Sequence, residues 1–331
     1  MRVAVIGGGP SGLVTLKYLI HANRFFSGHE PIEAVLFESA SAVGGVYFHH
    51  TYEDGEMVSS KFLTTFSDFR PRKSDPDFLS TSRYRQYLND YCTHFGLWQH
   101  IKLSTAVVSI KRGDVTAGQR AHVVKYHSVR AGGGNDDFQS ASQEWQCDAI
   151  AVCSGLHSEP NMPPIPGIEY VPTVMHSSEF KSRSQFGDGK TVMVLGTGET
   201  AFDIAHLAVT TPATKQVVLC HRDGFLGAPR RLMKTALFPT LRGIHVDGKD
   251  CFDGRLPVDA ATTALFDTMY VHKALRDSMR IWEYYNDAAL GASWLLCGTE
   301  NAFENWVGYL PAEKRHVSKS ECADCFFPCF M

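Results

Sequence analysis

Two short glycine-rich turns carry residues whose types and spacing suit phosphate binding. The first, residues 7–12, follows the apolar run 3–6, and the second, residues 196–201, follows the apolar run 191–195. A helix-like pattern follows each turn at once. In such a strand, turn and helix, the exposed amide end of the helix carries about half a positive charge and attracts phosphate. The spacing therefore predicts two dinucleotide sites, one in each half of the chain.

The first turn has a glycine for each task that a pyrophosphate site imposes. Gly7 permits the tight turn, Gly9 lets the backbone approach the phosphates, and Gly12 lets the helix lie close to the strand. A loop of purely structural origin would share these glycines. However, the next apolar run ends in Glu38, whose carboxylate is placed to accept hydrogen bonds from ribose hydroxyls. We expect these residues to contact a cofactor: Gly7, Gly8, Gly9, Pro10, Ser11, Gly12 and Glu38.

The second turn repeats this logic with alanine in the last small position, which still permits close packing of the helix. The strand that follows it ends before His221 and Arg222, where an NADH site would present a carboxylate. Arginine pairs with the 2′-phosphate of NADPH through a contact worth about 1.5 to 3 kcal/mol, so NADPH is favoured over NADH. The expected contacts are Gly196, Gly198, Thr200, Ala201, Phe202, Asp203 and Arg222.

A chain with two dinucleotide sites most simply holds a flavin and a nicotinamide. A glycine pair with an aromatic, Gly44-Gly45-Val46-Tyr47, follows Glu38 and fits the flavin interpretation. The glycines suit a close backbone approach to an isoalloxazine or ribose, and Tyr47 can pack beside it. We expect Gly45, Val46 and Tyr47 to contact the cofactor. A plain turn with a core tyrosine is the alternative.

The elements that position these turns predict an α/β chain with two Rossmann-like, three-layer dinucleotide-binding domains. A helix is expected over residues 82–95, with four of its residues on one face, and strands with period two are expected over 101–126. A proline-rich crossing near Gly167 then divides the chain. We expect a flavin-binding domain over 1–167 and an NADP-binding domain with a helical insertion over 168–331. The four helix residues are Tyr84, Tyr87, Leu88 and Tyr91.

Composition excludes several classes of partner. The chain has 331 residues and a formal net charge of −3, which argues against nucleic acid or an anionic membrane surface as the main partner. No apolar run reaches the roughly 18 residues that span a bilayer, and the chain opens on a strand without a cleavable leader, so a cytoplasmic protein is expected. The histidine pair His49-His50 has no carboxylate or cysteine at metal-ligand spacing, so no metal site is predicted. The oligomeric state is not predicted.

Taken together, the motifs resemble those of the flavin-containing monooxygenases. The resemblance covers about residues 1–319, and the motifs follow the order that the family has. They are residues 7–12, Glu38, 44–47, 66–69, 154–155, 176–177 and 196–201.

The resemblance implies FAD at the first turn, held by the residues named above, and NADPH at the second. Family members reduce the flavin with NADPH and trap dioxygen as a C4a-hydroperoxide, which transfers one oxygen to a soft nitrogen or sulfur nucleophile. The resemblance therefore implies an N,N-dimethylaniline monooxygenase-like enzyme that acts on a small amine or sulfide. The cofactor supplies the hard chemistry, so no side chain is predicted to be catalytic.

Three departures from the family pattern stand out. The family motif before the second turn is present here as Tyr170, Pro172, His176 and Phe180, with its first two positions changed. Many members carry an asparagine beside the flavin, and the corresponding position here is Val58. Members continue with a segment that returns to the flavin domain, whereas residues 321–331 resemble nothing in the family. We therefore expect the flavin domain to be incomplete at its C-terminal end.

These features leave alternatives open. A Baeyer–Villiger ketone monooxygenase shares both turns, although its motif usually adds a tryptophan near the histidine, which is absent around His176. A shortened fold that binds nucleotide without turnover is a second alternative. The cysteines at the end of the chain suggest a redox CxxC pair of the thioredoxin-reductase-like kind or a zinc site, but the pair lies at the chain terminus and a convincing fourth zinc ligand is lacking. They are Cys322, Cys325 and Cys329.

Overall fold

A computed structural model of the chain shows two compact units. The first unit consists of Met1–Gly55 and Ser80–Ser182, and the second of Glu56–Leu79 and Arg183–Met331. The predicted boundary near Gly167, between domains 1–167 and 168–331, stays a prediction. The structure describes residues 1–28, 30–114, 116, 120–129, 142–156, 159–221, 225–226, 230–231, 245–246, 249–250, 257, 259 and 306–307.

The described part of the chain contains both α-helices and β-strands. The α-helices are α1 (Pro10–Ile20), α2 (Ala22–Phe25), α3 (Val46–His49), α4 (Lys61–Thr64), α5 (Thr81–His94) and α6 (Glu199–Val209). The strands of the first unit are β1 (Arg2–Ile6), β2 (Glu33–Phe37), β3 (Ile101–Lys102), β4 (Thr105–Arg112), β5 (His122–Ser128), β6 (Gln143–Cys147) and β7 (Ala149–Val152). Those of the second unit are β8 (Thr191–Leu195), β9 (Gln216–Cys220), β10 (Phe225–Leu226), β11 (His245–Val246), β12 (Lys249–Asp250) and β13 (Trp306–Val307).

The main sheet of the first unit is parallel, with the strand order β3-β2-β1-β7. Strand β1 lies inside this sheet, paired with β2 on one side and β7 on the other. An inner strand of a parallel sheet is covered on both faces, which explains its unbroken apolar sequence. Its residues Val3, Ala4 and Val5 are accordingly buried. The apolar run that precedes the first turn is therefore a core strand, as its sequence predicted.

Helix α5 confirms the predicted amphipathic pattern. The Oγ of Ser80 accepts a hydrogen bond of 3.2 Å from the backbone N–H of Arg83, so the hydroxyl caps the start of the helix. The four residues predicted to share a face are all buried. Two of them, Tyr84 and Tyr87, stack with their ring centroids 5.6 Å apart.

A second, antiparallel sheet of the first unit has the order β4-β5-β6. Val124 and Tyr126 on β5 are buried, whereas Lys125 between them is exposed. The alternation that the sequence predicted is confirmed. These buried side chains join one apolar cluster with Phe37 of β2. The cluster packs behind the strand that leads to Glu38, so it fixes the position of that carboxylate.

The second unit contains the second strand, turn and helix. Strand β8 pairs in parallel with β9, in the register Val192 to Val217, and α6 connects them. Within the described residues, the remaining pairs are antiparallel, β10 with β13 and β11 with β12. The sequence also predicts a solvated loop or hairpin at 131–137 and helical spacing over 260–285. These two stretches and the cysteines at 322–329 lie outside the described residues.

Two features are absent from the part of the chain that the structure describes. No α-helix in that part of the chain has the length and apolar character needed to cross a bilayer. The same part of the chain holds no group of three or more histidine, cysteine and acidic residues arranged to bind a metal ion.

Candidate functional site

The first glycine turn is tightly packed against its own sheet. Gly7 has a φ of +108°, which favours glycine, and its N–H donates a 2.9 Å hydrogen bond to the carbonyl of Phe37. The carbonyl of Cys153 occupies the space that a Cβ on Gly7 would need. A Cβ on Gly12 would likewise collide with the carbonyl of Gly7. Both positions therefore require glycine for steric reasons.

Glu38 lies at the end of β2, and its carboxylate contacts the first turn directly. The N–H of Gly8 donates a 2.5 Å hydrogen bond to Oε2, and the N–H of Ala40 donates a 2.7 Å hydrogen bond to Oε1. The side chain is buried, with the residue 7% exposed. The Ser39 hydroxyl donates a further hydrogen bond of 3.3 Å to Oε1. These donors fix the carboxylate, and Oε2 keeps a second lone pair with which it could accept a ribose hydroxyl.

The N-terminus of α1 is free of competing side chains. The helix begins after Gly9, no side chain caps it, and its first turn contains no acidic residue. Pro10 occupies the first helical position, where its missing N–H costs nothing. The remaining amide groups of this end are therefore suited to binding an anion.

Gly45 approaches the same turn from the other side. It has a φ of +57°, and a Cβ placed on it would lie 3.2 Å from the Cα of Gly9. The N–H of Gly44 also donates a 2.9 Å hydrogen bond to the carbonyl of Gly8. The glycine pair therefore brings α3 against the turn. The predicted approach of these glycines to an isoalloxazine or ribose stays a prediction.

Of the two residues after this pair, Val46 is exposed and Tyr47 is half-buried. The Tyr47 ring packs edge-on against Tyr84, with centroids 4.7 Å apart. Burial raises the pKa of the Tyr47 hydroxyl above its ordinary value, which keeps the hydroxyl protonated at neutral pH. Tyr47 is thus a neutral hydrogen-bond donor beside the first turn.

The second glycine turn has the same backbone path but much more open space. Gly196 has a φ of +106°, and its N–H donates a 2.9 Å hydrogen bond to the carbonyl of Cys220. No heavy atom lies within 4 Å of a Cβ built on Gly196 or on Gly198. Helix α6 begins after Gly198 without a side-chain cap. Its amide end is therefore open to a ligand, as at the first turn.

Acidic side chains distinguish the second turn from the first. Glu199 stands in the first turn of α6, and Asp203 follows four residues later on the same face. Surrounding protein raises the pKa of the Glu199 carboxyl, the Asp203 carboxylate raises it further, and the Arg230 guanidinium lowers it. Because Glu199 is exposed to solvent, these effects are moderated by screening.

Arg230 is the residue near α6 that the sequence did not identify. Its Nη2 lies 3.7 Å from Oδ1 of Asp203, and its Nη1 donates a 3.1 Å hydrogen bond to Oε2 of Glu56. Glu56 is 174 positions away in the chain, so no local motif could have revealed this contact.

The predicted site residues fall into two groups in the structure. Those from Gly7 to Tyr47 gather around the start of α1, and those from Gly196 to Asp203 form the start of α6. Thr200 is exposed, and Ala201, Phe202 and Asp203 are half-buried. His221 is exposed at the end of β9, and Arg222 lies outside the described residues.

The chemistry of both turns fits a dinucleotide. At the first turn, uncapped amides for phosphate stand beside a buried carboxylate for ribose. At the second turn, uncapped amides and empty space suit a pyrophosphate, while Glu199 opposes its charge.

The chain is similar in sequence to several known proteins. The profile of a family described as "FMO-like: Flavin-binding monooxygenase-like" matches residues 1–234. The chain is 46% identical over 318 residues to Monooxygenase cfoE of Aspergillus candidus, covering 96% of this chain and 50% of that protein. It is 33% identical over 217 residues to Dimethylaniline monooxygenase [N-oxide-forming] 2 of Oryctolagus cuniculus, covering 62% of this chain and 37% of that protein.

Solved structures share the fold at low sequence identity. One is Tmm from Pelagibacter sp. strain HTCC7211, with a TM-score of 0.55, 18% identity, and coverage of 89% of this chain and 87% of that chain. Another is S-allyl-L-cysteine S-oxygenase from Allium sativum, with a TM-score of 0.51, 16% identity, and coverage of 99% and 94%. The predicted fold class, α/β with two Rossmann-like units, is confirmed. The chain spans about half the length of the curated fungal relatives that it matches, at 50% for Monooxygenase cfoE and 49% for Monooxygenase ptmN of Penicillium ochrochloron.

Proposed function

Because the chain belongs to the flavin-binding monooxygenase-like family, whose profile covers residues 1–234, we propose that it is an FAD- and NADPH-dependent monooxygenase. FAD would bind at the first turn and NADPH at the second. The substrate would be a small amine or sulfide, and dioxygen the oxidant. When bound, FAD would supply the chemistry of accepting a hydride from NADPH and activating dioxygen, with one oxygen atom going to the nucleophile and the other leaving as water.

The observation that carries this proposal is the arrangement of the first turn. The amide end of α1 is uncapped and free of acidic residues, which suits the pyrophosphate of FAD. The buried Glu38 carboxylate lies beside that end, held by the N–H groups of Gly8 and Ala40, and suits the ribose of FAD. The residues proposed for the phosphate and for the ribose thus follow the carboxyl ends of β1 and β2, which are neighbouring strands.

The roles of the remaining chain residues follow from their positions. Gly45 allows the backbone of α3 to approach Gly9 closely, and Tyr47 offers a neutral hydroxyl at the same place. At the second turn, the open space around Gly196 and Gly198 admits a pyrophosphate. Arg222 would pair with the 2′-phosphate and select NADPH over NADH. No side chain is assigned a proton-transfer step, because the protein binds and orients the reactants.

The amine or sulfide class is supported by the chain's relatives. The rabbit relative, 33% identical over 217 residues, is named as an N-oxide-forming monooxygenase. A nitrogen or sulfur lone pair is the nucleophile that the proposed chemistry needs.

Two measurements on the purified full chain test this function. The visible spectrum shows whether flavin is bound, and NADPH oxidation is then followed with an amine, a sulfide or a ketone. Bound flavin with amine- or sulfide-stimulated oxygenation is the expected result. Turnover of the ketone alone would assign a Baeyer–Villiger activity instead. A colourless protein that takes up no added FAD would leave only nucleotide binding without catalysis.

A further inference from the structure

Four charged side chains of the second unit meet at the start of α6. Glu199 and Asp203 lie one helical turn apart on that helix. Arg230 reaches Asp203 with Nη2 at 3.7 Å and donates from Nη1 to Glu56 at 3.1 Å. Its guanidinium also acts electrostatically on the Glu199 carboxyl. Among the described residues, the Arg230 guanidinium therefore acts on three carboxylates near the second turn.

The carboxylates create an electrostatic conflict with a dinucleotide. A pyrophosphate at the amide end of α6 would bring negative charge next to the Glu199 carboxylate, and neighbouring like charges repel each other. The first turn has no such conflict, because the first turn of α1 contains no acidic residue. The second turn therefore needs a cation that the first does not.

We propose that Arg230 is the counter-ion that allows the second turn to bind a dinucleotide, because its guanidinium offsets the carboxylates of Glu199 and Asp203. This inference rests on the proposed function, since it concerns the NADPH site of that function. Arg230 acts here through the carboxylates, so it is a positioning residue and its effect falls on binding. The salt bridge to Glu56 and the Phe78 ring, 5.5 Å from the guanidinium, hold it in place.

The neighbouring arginine provides a matched control. Arg231 lies over the same Phe78 ring at 5.3 Å, but its Nη1 contacts Oδ2 of Asp77 at 3.0 Å. Asp77 is buried and belongs to the segment before α5, not to α6. Replacing Arg231 therefore removes the same charge and ring contact while leaving the pairing of Arg230 with Asp203 in place.

The test measures the dissociation constant of NADP⁺ by titration calorimetry on the full-length flavin-loaded chain. The variants are Arg230→Gln, Arg230→Lys, Arg231→Gln, Glu199→Gln and the double variant Arg230→Gln/Glu199→Gln. Flavin content and the melting temperature are recorded for each. We expect Arg230→Gln to weaken binding about tenfold, Arg230→Lys to stay within about threefold of the unmodified chain, and Arg231→Gln to have no effect on binding.

The double variant separates a counter-ion from a direct phosphate contact. If Arg230 acts through Glu199, then Arg230→Gln weakens NADP⁺ binding by less than about threefold in the chain that already carries Glu199→Gln. Equal losses in both backgrounds would overturn the inference, as would equal binding by Arg230→Gln and Arg231→Gln. If Arg230→Gln does not fold, the Glu199→Gln variant decides alone. It is expected to bind NADP⁺ more tightly, and an unchanged dissociation constant would overturn the inference. An unmodified chain that binds FAD but no NADP⁺ would instead refute the proposed NADPH site.

Discussion

The two glycine turns of this chain share a backbone path but differ in what surrounds them. At the first turn, a Cβ on Gly7 would collide with the Cys153 carbonyl, one on Gly8 with the Glu38 side chain, and one on Gly12 with the Gly7 carbonyl. At the second turn, nothing lies within 4 Å of a Cβ on Gly196 or Gly198. Packing therefore dictates the glycines of the first turn, whereas backbone conformation and access for a ligand dictate those of the second.

The turns also differ in charge. The carboxylate at the first turn, that of Glu38, is buried, is held by backbone N–H groups, and belongs to the residue that follows β2, not to the helix. The carboxylate of Glu199 at the second turn is exposed and stands in the first turn of the helix itself. The comparison teaches that the same glycine motif can be surrounded by tightly packed backbone in one unit and by open space and paired charges in the other.

The largest expected difference between the turns is the loss of stability when one glycine of each turn is replaced by alanine. Gly12→Ala should destabilise the fold by about 3 kcal/mol and abolish flavin retention, because its Cβ collides with the Gly7 carbonyl. Gly198→Ala should change stability by less than about 0.5 kcal/mol, because its φ is −75° and its surroundings are empty. Thermal unfolding and the flavin absorbance ratio measure both. Equal destabilisation by the two variants would show that the turns are packed alike.

The carboxylate at the first turn gives the next largest effect. Glu38→Gln should weaken FAD binding by about 10- to 100-fold, because it removes a charged acceptor from the Gly8 N–H and from ribose, a loss of about 1.5 to 3 kcal/mol. Glu33→Gln on the same strand is the control, since Glu33 pairs with Arg2 at the surface. FAD titration of the apoprotein gives both constants. An unchanged constant for Glu38→Gln would remove the ribose contact from the proposal.

A third prediction concerns coenzyme choice at the second turn. Arg222→Gln should lower the preference for NADPH over NADH about tenfold, because a charge-assisted contact to the 2′-phosphate is lost. The rate of flavin reduction by each coenzyme, measured anaerobically as a function of its concentration, reports the ratio. A loss shared equally by both coenzymes would place Arg222 away from the 2′-phosphate.

The smallest effect is a pH dependence confined to the second turn. The pKa of Glu199 is raised, mainly by the surrounding protein, and protonation removes the charge that repels a pyrophosphate. Affinity for NADP⁺ should therefore fall, by about threefold, as pH rises through this pKa. Glu199→Gln should lose the pH dependence that Glu199 causes but keep the one caused by titration of the 2′-phosphate. Subtracting the pH profile of the variant from that of the unmodified chain therefore isolates the effect of Glu199. Parallel profiles would contradict the prediction.

The face of α5 and the alternation of β5 could be read from sequence because both reflect periods of a few residues. Tyr87 and Tyr91 recur at helical spacing, and Val124 and Tyr126 at the spacing of a strand. The need for glycine at the tight turn, Gly7, and at the close helix contact, Gly12, could be assigned from the same local pattern. The surroundings of those glycines could not, because Cys153 contacts Gly7 across more than a hundred residues of intervening chain.

The sequence by itself determined the two strand, turn and helix units, since their glycine spacing and apolar runs are contained within about 20 residues each. Only the tertiary structure decided that Glu38 binds the N–H of Gly8 and that Arg230 joins Glu56 to Asp203. The physical reason is that a charge acts on whatever the fold brings near it. Its partners are therefore set by packing between distant segments and not by the residues beside it in the chain.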